Sequence, residues 1–148
     1  MSCKAAIYVA NTSPVTITLT AQQPTATLPL GTTVRRFGRV NCENILELSG
    51  NGIIARDSGY YDVDASAVLT PDAAGVYTVT LYQDGQPVHG ASQSVTAAAA
   101  SAITFNIPAI VRTRCECGAS TLTLVVSTTA TLPVTLVANN TGVVIERI

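Results

Sequence analysis

Apolar and polar residues alternate with a period of two through most of the chain, and that period admits one class of element. Val15-Thr16-Ile17-Thr18-Leu19-Thr20 alternates without a break, as do Val79-Thr80-Leu81 and Leu122-Thr123-Leu124. Successive side chains of a strand point to opposite faces, so each such segment reads as a strand with one face in a core and one in water. The longest example is Tyr61-Asp62-Val63-Asp64-Ala65-Ser66-Ala67, its odd positions predicted inward and its even positions outward. Turn-forming residues cluster between these runs, at Asn11 to Pro14, Ser49 to Gly52, Pro71 to Gly75 and Asn139 to Gly142. Gln83-Asp84-Gly85-Gln86 carries the Asp-Gly pair favoured in tight hairpins. The strand-like runs number about ten, at the spacing of a sandwich or barrel. No helix is expected: Ala97 to Ala100 is too short to hold one and reads as a loop or strand end. With no linker and no long repeat, residues 1–148 are read as one all-β domain.

Composition says how such a domain meets water. Hydrophobic residues make up 47 % of the chain and charged residues 11 %, where about 25 % charged is usual. Apolar material is ample, which excludes a disordered chain. Eight basic residues against nine acidic ones leave no basic excess for neutralising phosphates, so no nucleic-acid partner is expected. No run approaches the roughly 18–20 apolar residues of a membrane-spanning helix. In place of charge the chain has 21 threonines and 10 serines. Threonine is β-branched and suits the solvent face of a sheet without bringing charge. Few charges also leave little to keep copies apart, which points to an oligomer or to a place in a larger assembly.

The N-terminus, Met1-Ser2-Cys3-Lys4-Ala5-Ala6-Ile7, lacks the apolar core of a secretory signal, so synthesis and first folding in a cytoplasm are expected. Cysteine occurs at 3, 42, 115 and 117. Cys115-Glu116-Cys117 would put two thiols on one strand face. Free or buried thiols, two disulfides in any of three pairings, and a metal site without the usual Cys-x-x-Cys knuckles all remain open. Asp62 and Asp64 share a strand face about 7 Å apart and are the nearest approach to a carboxylate cation site. The blander reading makes them part of a solvated face. With Cys115 and Cys117 they are the metal candidates, although no metal or other cofactor is expected.

Catalytic signals are thin. His89 is the sole histidine and the best candidate for a general base, yet a surface-loop residue explains it far better. Gly90-Ala91-Ser92-Gln93-Ser94 breaks the Gly-x-Ser-x-Gly nucleophile pattern at its last position. The expectation is no enzyme and no catalytic residue. Arg35 and Arg36, with Arg39 beyond Phe37-Gly38, form the basic cluster, and arginine pairs bidentately with carboxylates at subunit contacts. Tyrosines at strand spacing read as core or interface. The interface candidates are therefore Arg35, Arg36, Phe37, Arg39, Tyr60, Tyr61 and Tyr82.

The order of motifs from Leu30 onward resembles a known family. Ile45 to Ile53 is followed by Ser58-Gly59-Tyr60-Tyr61-Asp62-Val63, then Val76 to Gly85, Ile107-Pro108-Ala109-Ile110-Val111 and a closing Gly142 to Glu146. This resembles the jelly-roll domains of the tumour necrosis factor and complement-head superfamily, including the C-terminal domain of a collagen-like exosporium glycoprotein. Ala6-Ile7-Tyr8-Val9-Ala10-Asn11-Thr12 and Arg35-Arg36-Phe37-Gly38 are similar to segments of short phage and prophage proteins. The chain departs from the superfamily in having no Gly-x-y repeat and no obvious calcium ligands. The resemblance implies a TNF-like jelly-roll sandwich that assembles as a homotrimer.

The function expected from these readings is a structural virion protein, most concretely a trimeric decoration protein that stabilises a phage capsid. Its partners would be its own copies and a capsid or other virion protein, without nucleic acid or membrane. Residues 1–30, ahead of the core pattern, are expected to anchor it. The alternative is a receptor-binding or adhesin module that holds glycans or a host surface through the loops at Gln83 to Gly90 and Asn139 to Gly142.

Overall fold

The computed structural model describes residues 4–38, 45–114 and 119–148. They form twelve strands: β1 (Ala5–Asn11), β2 (Val15–Leu19), β3 (Thr25–Thr27), β4 (Thr32–Gly38), β5 (Leu46–Ser49), β6 (Gly52–Ala55), β7 (Gly59–Pro71), β8 (Gly75–Gln83), β9 (Gln86–Ala97), β10 (Ile103–Thr113), β11 (Ser120–Thr128) and β12 (Val134–Arg147). Among the described residues no helix is long and apolar enough to cross a membrane.

The strands make two antiparallel sheets. In the first the order is β10-β7-β12-β1-β4, with β2 also paired to β12. In the second it is β5-β6-β11-β8-β9, with β3 also paired to β11. β12 is long enough to serve two neighbours. Val134–Ala138 pairs with β2, a bulge follows at Asn139, and the rest pairs with β1. Thr70 donates to Asn139 Oδ1 at 2.6 Å and holds that bulge against β7. Asn139 to Gly142, expected as a turn and candidate binding loop, is therefore the interior of a strand. The extra residue of the bulge interrupts the alternation and mimics a turn signal.

Alternation elsewhere translates directly into burial. Tyr61, Val63, Ala65, Ala67 and Leu69 of β7 face inward, while Tyr60, Asp62, Asp64 and Ser66 face out. The two inner faces interleave around Tyr61, Tyr77 and Phe105 with Leu19, Leu28, Ile53, Leu81 and Leu122, all fully buried. Burying each of the aliphatic side chains stabilises the fold by about 1.5–3 kcal/mol. Residues 4–30 contribute β1, β2 and β3 and the core side chains Ile7, Val9, Leu19 and Leu28. That segment is built into both sheets and is not a separable extension.

Several polar groups that enter the core are secured individually. Tyr61 donates to the Asp57 carbonyl at 2.8 Å, which also accepts from Thr113, and Tyr77 donates to the Ala73 carbonyl at 2.7 Å. Arg147, at the end of β12, pairs with Asp57 at 2.8 Å and donates to the Ser58 carbonyl at 2.6 Å. At the β8–β9 turn Asp84 and Gly85 both have positive φ, as a tight Asp-Gly hairpin requires. Asp84 then ties the turn to β11, accepting from the Thr121 N–H at 2.8 Å and donating to its carbonyl at 2.9 Å.

Candidate functional site

The outer face of the first sheet is where this chain departs from an ordinary soluble surface. Registered pairing stacks its outward residues into rows that run across the strands from β10 to β4. One row is Pro108–Asp64–Val144–Tyr8–Arg35, and the next is Ile110–Asp62–Glu146–Ala6–Phe37. A third is Asn106–Ser66–Gly142–Ala10–Thr32, in which Ala10 is buried. Neighbours within a row sit about 4.5–5.5 Å apart, close enough to act together.

Seven large hydrophobic side chains are exposed among the described residues: Tyr8, Val34, Phe37, Tyr60, Ile110, Val144 and Ile148, from 39 % at Tyr8 to 69 % at Ile148. Six belong to strands of the first sheet and the seventh, Ile148, directly follows β12. Three hollows open on the same sheet. One of about 490 Å³ lies over β1 and β4, lined by Tyr8, Val34, Arg35, Phe37 and Val144 among others. A second, of about 470 Å³, has Ser66 and Gly142 in its lining with Tyr8, Asp64, Asn106 and Val144 around them. The third, of about 300 Å³, lies among Lys4, Phe37, Glu146, Arg147 and Ile148.

Charge is patterned on this face as well. Asp62, Asp64 and Glu146 project from the middle strands β7 and β12, and Arg35 and Arg36 lie on the β4 edge. Near the opposite edge, Arg112 of β10 stacks over the Tyr60 ring, 5.5 Å from its centroid, a contact of about 0.5–1 kcal/mol when exposed. The ion pairs between described residues, Arg56 with Glu47 and Arg147 with Asp57, use none of the three central carboxylates.

The residues singled out from sequence are distributed unevenly. Arg35, Phe37 and Tyr60 share the outer face of the first sheet. Arg36, one position on, points to the other side of β4 and is also exposed. Tyr61 does not belong with them: it is fully buried, because the residue next to an outward Tyr60 must point inward. Burial also pushes its hydroxyl pKa up. Tyr82 is half-buried on the outer side of the second sheet, next to Pro87 and Thr123. Arg39, Cys115 and Cys117 lie outside the described residues. Asp62 and Asp64 are exposed on one face, and no group of three metal-ligating side chains forms among the described residues. His89 is exposed on β9, and the loop expected over Gln83 to Gly90 contracts to the two-residue turn at Asp84-Gly85. Of the apolar side chains that define the face, Tyr8 falls among the tyrosines read as core or interface, whereas Val34, Ile110 and Val144 were not expected there from the sequence. Their signal is an apolar residue at an outward position within an already apolar run.

Solved structures share this architecture at low sequence identity. Murine APRIL, at pH 5.0, superposes with a TM-score of 0.67 and 11 % identity, covering 98 % of this chain and 99 % of that one. Eiger TNF from S. frugiperda matches with a TM-score of 0.56 and 14 % identity over 97 % of this chain and 91 % of its own. The PRD1 vertex protein P5 matches with a TM-score of 0.54 and 14 % identity over 97 % of this chain and 72 % of its own. The sequence matches no protein-family model and no curated protein. The fold is an all-β, TNF-like jelly-roll sandwich.

Proposed function

We propose that this chain is a structural virion protein, a homotrimer that decorates a phage capsid and stabilises the shell by adhesion. The observation that carries the reading is that, among the described residues, the exposed large hydrophobics all lie on the first sheet or directly follow its strand β12. A monomer in water gains nothing from such a face, whereas a closed symmetric assembly removes it from solvent and covers exposed sheet edges. About 800 Å² buried per partner makes a standard stable interface. The likeness in fold to a vertex protein supports a place in a viral shell, and the phage-like segments Ala6 to Thr12 and Arg35 to Gly38 support the same place. With the first sheet used for self-association, the hydroxyl-rich second sheet and the strand ends remain for the shell. Within residues 1–30 the proposed shell contact is β3, which pairs with β11 in the second sheet, since β1 and β2 belong to the first.

The test is light scattering on the purified chain, followed by sedimentation with capsids. The expected result is a particle of three times the chain mass that co-sediments with shells. A monomer at micromolar concentration would sink the trimer. A trimer that ignores shells but binds glycans reproducibly on an array would move the protein to the adhesin class.

A further inference from the structure

β4 is the strand the fold leaves uncovered. Six of its seven residues are exposed and none is buried, and among the described residues it hydrogen-bonds β1 alone. β10, the opposite edge of the same sheet, alternates and buries its inward side chains. A strand that buries no side chain recovers little of the entropy lost in ordering it. Natural edges are often guarded by charge or by a bulge. β4 has both, in Arg35-Arg36 and in a register shift that leaves Val34 unpaired. Guarding alone does not account for Val34 and Phe37, more than half exposed on the same strand.

The same chain presents the complement of this strand. Asp62, Asp64 and Glu146 stand together on β7 and β12, Asp62 directly opposite Glu146, and none makes an ion pair with a described residue. Arg35 of the same copy cannot serve them. Strands β1 and β12 intervene, which puts the Arg35 and Asp64 backbones about 14 Å apart at 4.7–4.9 Å per strand step. A two-fold contact of face on face would set one acidic centre against another, an arrangement that like charges disfavour. Arg112 is a weaker donor for the role, since it is already stacked on its own Tyr60.

From these placements we infer that β4 of one copy lies edge-on across the acidic centre of the next copy's first sheet. Arg35 and Arg36 project to opposite sides of β4, so the two guanidinium groups straddle the Asp62–Asp64 pair. Phe37 enters the hollow beside Ser66 and Gly142, where a hydroxymethyl group and a bare backbone leave the floor open. The partner is a second copy of this chain, and the contact is head-to-tail, which makes a closed trimer when its rotation is threefold. The inference rests on the proposed self-association and adds which strand meets which patch.

Charge reversal tests it on the full chain. Arg35→Glu with Arg36→Glu, and separately Asp62→Arg with Asp64→Arg, alter exposed side chains and leave the core intact, which circular dichroism and thermal melting check. Each pair is expected to weaken assembly about a hundredfold, and the four changes together are expected to restore it to within about tenfold. Either double variant assembling like the parent overturns the pairing and leaves self-association standing. A folded but monomeric quadruple variant also overturns it. If a double variant melts early, Phe37→Ser replaces it, with assembly expected to weaken and unchanged assembly counting against the inference. A monomeric parent chain instead overturns the self-association on which the pairing rests.

Discussion

The two sheets solve the same problem, a face turned to the outside, in opposite ways. On the second sheet the outward positions are hydroxyls that satisfy one another, as in Thr78 with Ser94 at 2.7 Å and Thr80 with Ser92 at 3.1 Å. Thr121 and Thr123 of β11 continue the same surface. On the first sheet the equivalent positions hold Tyr8, Tyr60, Ile110 and Val144 beside arginines and carboxylates that make no ion pair with a described residue. The difference shows that a low total charge does not mean a uniformly bland surface. Threonine keeps one face wet without charge, and much of the charge the chain retains is gathered on the face with the apolar groups. Arginine and aromatic residues are enriched at interfaces, and both stand on this face.

The comparison breaks if the two faces respond alike to an added charge. Val144→Glu places a carboxylate between Asp64 and Tyr8 in the middle row of the first sheet. We expect the protein to remain folded and to lose self-association by a hundredfold or more in dissociation constant, about 2.7 kcal/mol. Ser92→Glu on the second sheet is expected to leave assembly unchanged. Light scattering on the two variants decides the matter, and equal behaviour would remove the distinction between the faces.

A second contrast concerns how firmly each sheet fixes its turns. Gly31 precedes β4 with φ +76°, and a Cβ there would come within 2.1 Å of the Ala10 carbonyl oxygen of β1. Gly85 in the β8–β9 hairpin has φ +80°, with nothing within 4 Å of an added Cβ. Gly31→Ala is therefore expected to cost about 3 kcal/mol or more, because backbone meets backbone. Gly85→Ala carries conformational strain alone, about 1 kcal/mol. Urea denaturation of both variants measures the gap, and equal costs would mean that β4 is not pinned to β1 as described.

The sheets were far more legible in the sequence than the face. β7 could be read residue by residue, because its odd positions are apolar and its even positions polar, and the structure buries it in that pattern. The Asp84-Gly85 turn was legible for a similar reason: the residues needed for positive φ announce themselves. β4 gave no such signal. Thr32-Thr33-Val34-Arg35-Arg36-Phe37-Gly38 lacks alternation because neither of its sides enters the core. Tyr8 and Val144 were hidden by the opposite effect. Each lies in an apolar run, Ala5 to Ala10 and Gly142 to Ile145, where an outward hydrophobe erases the period that would reveal it. Tyr60 and Tyr61 obey the same alternation, which turns Tyr61 inward and Tyr60 outward, so grouping Tyr61 with the interface residues ran against the period of its own strand. The sequence pattern therefore conveys burial well and interfaces poorly, because an interface residue obeys the chemistry of the core at a surface position.

The smallest contrast lies inside the sandwich, between the tyrosines that each sheet buries. Tyr61 of the first sheet and Tyr77 of the second each donate to the carbonyl four residues upstream. The Asp57 carbonyl beneath Tyr61 keeps a second donor in Thr113, so Tyr61→Phe removes one bond and strands no acceptor. Tyr77→Phe removes the side-chain donor to the Ala73 carbonyl. We expect about 0.5 kcal/mol for the first and about 1–1.5 kcal/mol for the second. Burial raises the pKa of both hydroxyls above the ordinary value of 10.0. The sign follows from which state ionises first. Near pH 10 the unfolded tyrosine gives up its proton while the folded one retains it, so ionisation draws the equilibrium toward the unfolded state. The contribution is complete below pH 10 and declines as pH rises through the folded pKa. The parent protein should therefore lose stability above pH 10, and each phenylalanine variant should lose less with pH than the parent. Urea midpoints at pH 8 and pH 11 report the difference, and parallel losses in parent and variants would show that neither hydroxyl is held in its neutral form by the core.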